Sequence, residues 1–120
     1  MEFKYKQIKT EDQRKLISHN LLEKYPDKIP IILQKDVTNK IQEFKKTKFL
    51  SERKYTVSEF TQKLRSEMKL PEEEALFLSV KGKYSISGQT IMENVYNTYK
   101  DEDGFLYIIY TSELIYGNKK

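Results

Sequence analysis

Gly117 is the residue of this chain whose type and position best suit chemistry, since it follows Tyr116 and precedes only Asn118-Lys119-Lys120. Glycine has no Cβ and tolerates most backbone angles, so it can thread a narrow channel and leave its carbonyl open to nucleophilic attack. Upstream lies the apolar run Phe105-Leu106-Tyr107-Ile108-Ile109-Tyr110. Fully extended, the stretch from Tyr110 to Gly117 reaches roughly 25 Å, enough to carry a glycine carboxyl from a packed domain into another protein's active-site cleft. On this reading the chain is a precursor, and a protease that cuts between Gly117 and Asn118 frees the reactive carboxylate. The competing reading is a frayed polar terminus with a chance glycine.

Other chemistry finds little support. There is no cysteine, hence no thiol nucleophile, disulfide framework or thiolate metal site, and the composition is compatible with a reducing compartment. The single histidine, His19, falls on an expected helix and is assigned no function. No nucleophile-base pair, metal-ligand cluster or phosphate-binding glycine loop is visible, so neither an enzyme, a metal site nor a cofactor is expected. The opening Met1-Glu2-Phe3-Lys4-Tyr5-Lys6 lacks the apolar core of a signal peptide, and no stretch approaches the roughly 18 to 20 apolar residues that span a bilayer. The chain is expected to be soluble as synthesised.

The formal charge of +4 suits nucleic acid, an anionic membrane or acidic peptides, and its sign alone does not choose among them. Its distribution is more informative. Lys35, Lys40, Lys45, Lys46, Lys48, Arg53 and Lys54 face only Asp36, Glu43 and Glu52 over the same segment, which predicts one basic patch. Stacking platforms and groove-reading motifs are not evident, so no nucleic-acid partner is expected.

The elements that must position these residues follow from pattern. With 120 residues and no repeat or linker, one domain is expected. Thr10 with Gln13 forms a capping-box signature ahead of the stripe Ile17, Leu21, Tyr25, and Pro26 ends the run, so a helix is predicted over 11 to 24. Lys28-Ile29-Pro30-Ile31-Ile32-Leu33 predicts a strand at 28 to 35, and Lys48-Phe49-Leu50-Ser51 a second, short one. Thr56 with Glu59 repeats the capping box before the apolar face of Val57, Phe60, Leu64 and Met68, a helix that stops near Pro71. Leu76 to Val80 reads as a strand entering a turn at Lys81-Gly82-Lys83. Thr90 with Glu93 predicts the start of a short helix that carries Ile91, Val95 and Tyr99. The strand at 105 to 110 is apolar throughout and is therefore expected at the sheet centre. The order ββαβαβ is that of a β-grasp with helix added in front.

Five segments then carry a specific resemblance. Tyr25-Pro26-Asp27-Lys28-Ile29-Pro30-Ile31-Ile32, Lys46-Thr47-Lys48-Phe49-Leu50, Thr56-Val57-Ser58-Glu59-Phe60, Ala75-Leu76-Phe77 and Asp103-Gly104-Phe105-Leu106-Tyr107 stand in the order and spacing of the autophagy-related protein eight family. The chain resembles these GABARAP-like ubiquitin-like modifiers over essentially its whole length. The resemblance implies an α+β, ubiquitin-like β-grasp with two additional N-terminal helices at about 3 to 8 and 11 to 24. A helical subdomain over 1 to 24 packs on a core over 25 to 112, and a flexible tail over 113 to 120 carries the processing site.

For the tail, the resemblance implies cleavage after Gly117 by a cysteine protease, activation by an E1-like enzyme, transfer through an E2-like enzyme, and attachment to phosphatidylethanolamine. The protein would be substrate rather than catalyst, cytoplasmic before conjugation and on autophagosome and related vesicle membranes after it. Two acyl chains suffice for stable anchoring.

The resemblance also implies recognition of short aromatic-x-x-aliphatic peptides on cargo receptors and adaptors by strand addition to the edge at 48 to 51. Leu21, Pro30, Ile32, Lys48, Leu50 and Phe105 match the family's aromatic pocket, and Phe49, Tyr55, Phe60 and Leu64 its second pocket. Core packing is a further role for Ile32, Leu50 and Phe60. Lys28, Lys46 and Lys48 would attract acids that precede the aromatic. Ile17, Ser51-Glu52, Lys63 and Glu67 depart from the family pattern, which predicts a more polar second pocket and a shifted peptide preference. A β-grasp peptide-binding adaptor in membrane trafficking that is never conjugated is the alternative.

Overall fold

The structure, a computed structural model, describes residues 2–114. Helices α1 (Lys4–Ile8) and α2 (Glu11–Lys24) precede strands β1 (Lys28–Lys35) and β2 (Lys48–Glu52). Then come α3 (Val57–Met68), β3 (Glu74–Val80), β4 (Tyr84–Ser85), α4 (Met92–Tyr99) and β5 (Leu106–Leu114). The strands form one sheet in the order β2-β1-β5-β3-β4. β1 and β5 are parallel, and the other pairs are antiparallel. This is the α+β grasp expected from the pattern, with β5 at its centre and two helices in front.

Period-two alternation explains why the central strands are apolar on both faces. Leu106, Ile108 and Tyr110 join Ile29, Ile31 and Leu33 in a core that α3 and α4 complete with Phe60, Leu64, Met92 and Val95. Phe105, Tyr107 and Ile109 point the other way and, with Ile32, pack beneath Phe3, Tyr5, Ile17 and Leu21 of the N-terminal segment. Neither face of the sheet is left to solvent at its centre.

Both predicted capping boxes form. The Gln13 and Glu59 N–H groups donate to the hydroxyls of Thr10 and Thr56 at 3.2 and 3.1 Å, and the carboxamide and carboxylate side chains accept from the Thr10 and Thr56 N–H groups, each at 2.8 Å. α4 starts differently. Its N-cap is Ile91, without a side-chain cap, because the Thr90 carbonyl accepts from Val57 N–H and Thr56 bridges Ile91. Tertiary pairing thus replaces the cap, and the buried face is Met92, Val95 and Tyr96, with Ile91 exposed. β5 runs past the expected end at 110 into the segment expected as a tail, because Glu113 and Leu114 pair with Ala75 and Glu74. β4 was not foreshadowed, since its two residues, Tyr84 and Ser85, are held by pairing with Val80 and Ser79 rather than by any pattern of their own.

α2 docks by a polar contact that its apolar stripe does not reveal. Its fully covered residues are Arg14 and Ser18, while Ile17 and Leu21 flank them half-buried. The Arg14 guanidinium donates to buried Asp103 Oδ2 at 2.6 Å, and the Tyr107 hydroxyl donates to the same oxygen at 2.5 Å. Phe105 N–H donates to Asp103 Oδ1 at 2.8 Å, and the Ser18 hydroxyl donates to the Asp103 carbonyl. Gly104, at φ +94°, must be glycine here, because a Cβ would lie 2.5 Å from Ser18 Oγ. α1 is tied to the same loop through Lys6 Nζ and Asp101 at 2.6 Å. Burial pushes the Asp101 carboxyl up, but the Lys6 ammonium and the Asp103 N–H outweigh it and hold the group below its ordinary value.

Two outcomes follow from this packing. Arg14→Met leaves the Asp103 carboxylate buried without its cation and should lower stability in urea unfolding by about 3 kcal/mol or more; a loss below about 1 kcal/mol would show that the pair does not hold α2. Burial raises the ionisation of Tyr5, Tyr96, Tyr107 and Tyr110, with Asp103 adding to the shift at Tyr107. A raised value means that stability is full below the ordinary tyrosine range near 10 and is lost as pH rises above it. In an alkaline titration, part of the tyrosinate absorbance should therefore appear together with loss of the far-ultraviolet dichroism. Independent titration of all nine tyrosines with the fold intact would contradict the burial account.

Candidate functional site

β2 is the outermost strand on its side of the sheet, so among the described residues no other strand pairs with its outward backbone edge. Residues 53–56 alone connect it to α3, whose Phe60, Lys63, Leu64 and Glu67 border the same edge. On the opposite face of the sheet, α2 approaches the same edge through Leu21. The result is a groove of about 380 Å³ lined by Leu21, Lys48, Leu50, Phe49, Phe60 and Leu64. Lys46, Lys63 and Glu67 form its charged rim.

Alternation along β2 sorts these residues onto two walls. Lys48 and Leu50 face the α2 side, opposite Ile32 and Pro30 of β1. Phe49 and Ser51 are buried toward α3, where Phe49 meets Phe60 and Leu64 in the larger core. Phe44 packs at a tilt against Phe49 with ring centroids 5.4 Å apart, and Lys46 Nζ sits 4.6 Å from the Phe49 ring centroid. An ammonium over a ring face is held there by the ring quadrupole. The α3 wall is thus an apolar floor with cations and one acid at its rim.

The remaining sequence-derived positions do not line this cavity. Ile32 and Phe105 are fully buried in the cluster against which Leu21 packs, and they form the ground beneath the α2 side. Pro30 is buried across from Leu50, and Tyr55 is half-buried against the α3-side core. Lys28 lies opposite Glu52 across the β1–β2 pair and is bonded to its carboxylate. That hydrogen bond raises the Lys28 ammonium and lowers the Glu52 carboxyl, so each charge answers the other. Gly117 and Asn118 lie outside the described residues.

Arg14, Ser18 and Asp103 were missed by sequence reasoning, although they fix where α2 carries Leu21 to the groove. The one available signal was the spacing of Arg14 and Ser18, a helical turn apart on the face that also carries Leu21. Among the described residues, no helix is long and apolar enough to cross a membrane. No group of three or more potential metal ligands occurs among them either.

Comparison with known proteins bears on the same region. The profile of a family described as "Autophagy protein Atg8 ubiquitin like" matches residues 13–117. The chain is 39% identical over 108 residues to Autophagy-related protein 8h of Arabidopsis thaliana, covering 88% of each chain. It is 38% identical over 106 residues to Autophagy-related protein 8e of the same plant, covering 88% of this chain and 86% of that one. Among solved structures it is similar to Trypanosoma brucei ATG8, with a TM-score of 0.90 and 35% identity over 95% of this chain and 97% of the other.

The two walls should separate by stability. Phe60→Ala and Leu64→Ala remove buried volume and should cost about 2 to 5 kcal/mol each in denaturant unfolding. Lys48→Ala and Lys63→Ala touch exposed side chains and should stay within about 0.5 kcal/mol of the parent. A core-sized loss at Lys48 would mean that it is committed to the fold and not available to a partner.

Proposed function

Because the chain belongs to the Atg8 family of ubiquitin-like autophagy proteins, we propose that it is cleaved after Gly117 and joined through that glycine to phosphatidylethanolamine. In this reading it recruits cargo receptors and adaptors by binding aromatic-x-x-aliphatic peptides along β2. The observation that carries the peptide half is an open strand edge flanked by an apolar wall on each side. The conjugation half is supported by the family match, whose last residue is Gly117.

The geometry accounts for the spacing of such a motif. In an added strand, residues three apart differ by an odd number and so point to opposite faces. The aromatic enters the α2 side between Leu21, Lys48 and Leu50, while the aliphatic, about 10 Å along, enters the α3 side over Phe49, Phe60 and Leu64. Main-chain hydrogen bonds to β2 supply affinity that is independent of side chains, and the two pockets supply selection. Lys46 and Lys48 attract acids that precede the aromatic, each exposed pair adding about 0.2 to 1 kcal/mol and weakening with salt.

The protein acts here as a modifier and not as a catalyst. A processing cysteine protease and E1-like and E2-like enzymes would supply the chemistry, and this chain would supply a glycine carboxyl and a docking surface. Conjugation moves it from the cytoplasm to autophagosome and related vesicle membranes.

The intact mass of the protein recovered from membranes of starved cells of its own source tests this reading. Loss of Asn118-Lys119-Lys120 with gain of a phosphatidylethanolamine mass, absent for Gly117→Ala, is the expected result. A full-length mass in every fraction would overturn conjugation and leave an unconjugated adaptor.

A further inference from the structure

The α3 wall carries opposite charges in a fixed order along β2. Glu67, in the last turn of α3, lines one groove with Lys46, Lys48 and Phe49 at the start of β2. It also faces Gln42, Glu43 and Lys45 in the segment that leads into β2. Lys63, one turn earlier, borders the groove away from that segment. Among the described residues, neither Glu67 nor Lys63 takes part in an ion pair, whereas Lys28 is held by Glu52.

We propose that Glu67 is a specificity-determining residue that selects a basic side chain immediately after the aromatic anchor of a peptide added to β2. This rests on the peptide-groove reading above. Acids before the aromatic meet Lys46 and Lys48 at the start of β2, so the peptide runs parallel to the strand. The aromatic points to the α2 side, and the next residue must then point to the α3 side. It does so before the aliphatic anchor, hence nearer the last turn of α3 than the pocket over Phe60 and Leu64. Glu67 is the exposed acid on that part of the wall. Glu67 offers a lysine or arginine there an opposite charge and a glutamate a like one, on a wall that also carries the Lys46 ammonium over Phe49 and borders Lys45. The preferred ligand is therefore of mixed charge, acidic ahead of the aromatic and basic just after it.

The test uses the full chain and three synthetic peptides with two acids, a tryptophan, a variable residue, an alanine and a leucine, in which the variable residue is lysine, alanine or glutamate. Isothermal titration at low salt should rank lysine tightest and glutamate weakest, with a span of roughly fivefold that shrinks in high salt. Glu67→Lys, an exposed substitution, should invert the ranking while leaving the unfolding midpoint unchanged. Equal affinities across the set, or the same ranking in Glu67→Lys, would overturn the role of Glu67 while leaving the groove reading intact. Failure of all three peptides to bind would overturn both.

Discussion

The buried carboxylate of Asp103 is the constraint on which the architecture turns. An ionised group in an apolar interior is tolerated only when paired and hydrogen-bonded. Here Arg14, Tyr107 and the Phe105 N–H satisfy it together. Those partners come from α2, the central strand and the turn leading into it, so satisfying one charge fixes three parts of the chain at once. The neighbouring Asp101 extends the same loop to Lys6 of α1. Leu21 reaches the groove because Arg14 and Ser18, on the same helix, are held at this loop.

The groove is in that sense a product of both sheet faces. Its α3 wall belongs to the main core, so Phe49, Phe60 and Leu64 both support the fold and line the groove. Its α2 wall belongs to the second cluster, built on Ile32 and Phe105 and closed by the N-terminal helices. A strand edge with an apolar wall on each side requires a sheet that is covered on both faces, and the apolar β1 and β5 strands meet that requirement.

Much of this was legible in the residues. The two Thr-initiated capping boxes, the bounds of β1 and the central place of β5 follow from local pattern, because the responsible interactions are local or depend only on strand period. What was not legible depends on contacts distant in sequence. Thr90 resembles a cap, yet pairing with the start of α3 occupies that backbone instead. The polar tail of β5 is a strand only because β3 lies beside it. Arg14 on a charged helix gives no sign that it is buried, since its partner lies 89 residues away. Lys28 was grouped with Lys46 and Lys48 by charge, but strand register sets it opposite Glu52 and outside the groove lining. Lys63 and Glu67 were visible as departures from a family pattern, and only the fold brings them to one wall.

An open strand edge is also a template for another copy of the same chain. Between Lys45 and Lys54 this edge carries Lys45, Lys46, Lys48, Arg53 and Lys54 against the single acid Glu52. Two such edges brought together in any register join two surfaces of net positive charge. The same lysines thus discourage pairing with a second copy, so a charge pattern that suits an acidic partner also opposes extension of the sheet from one chain to the next.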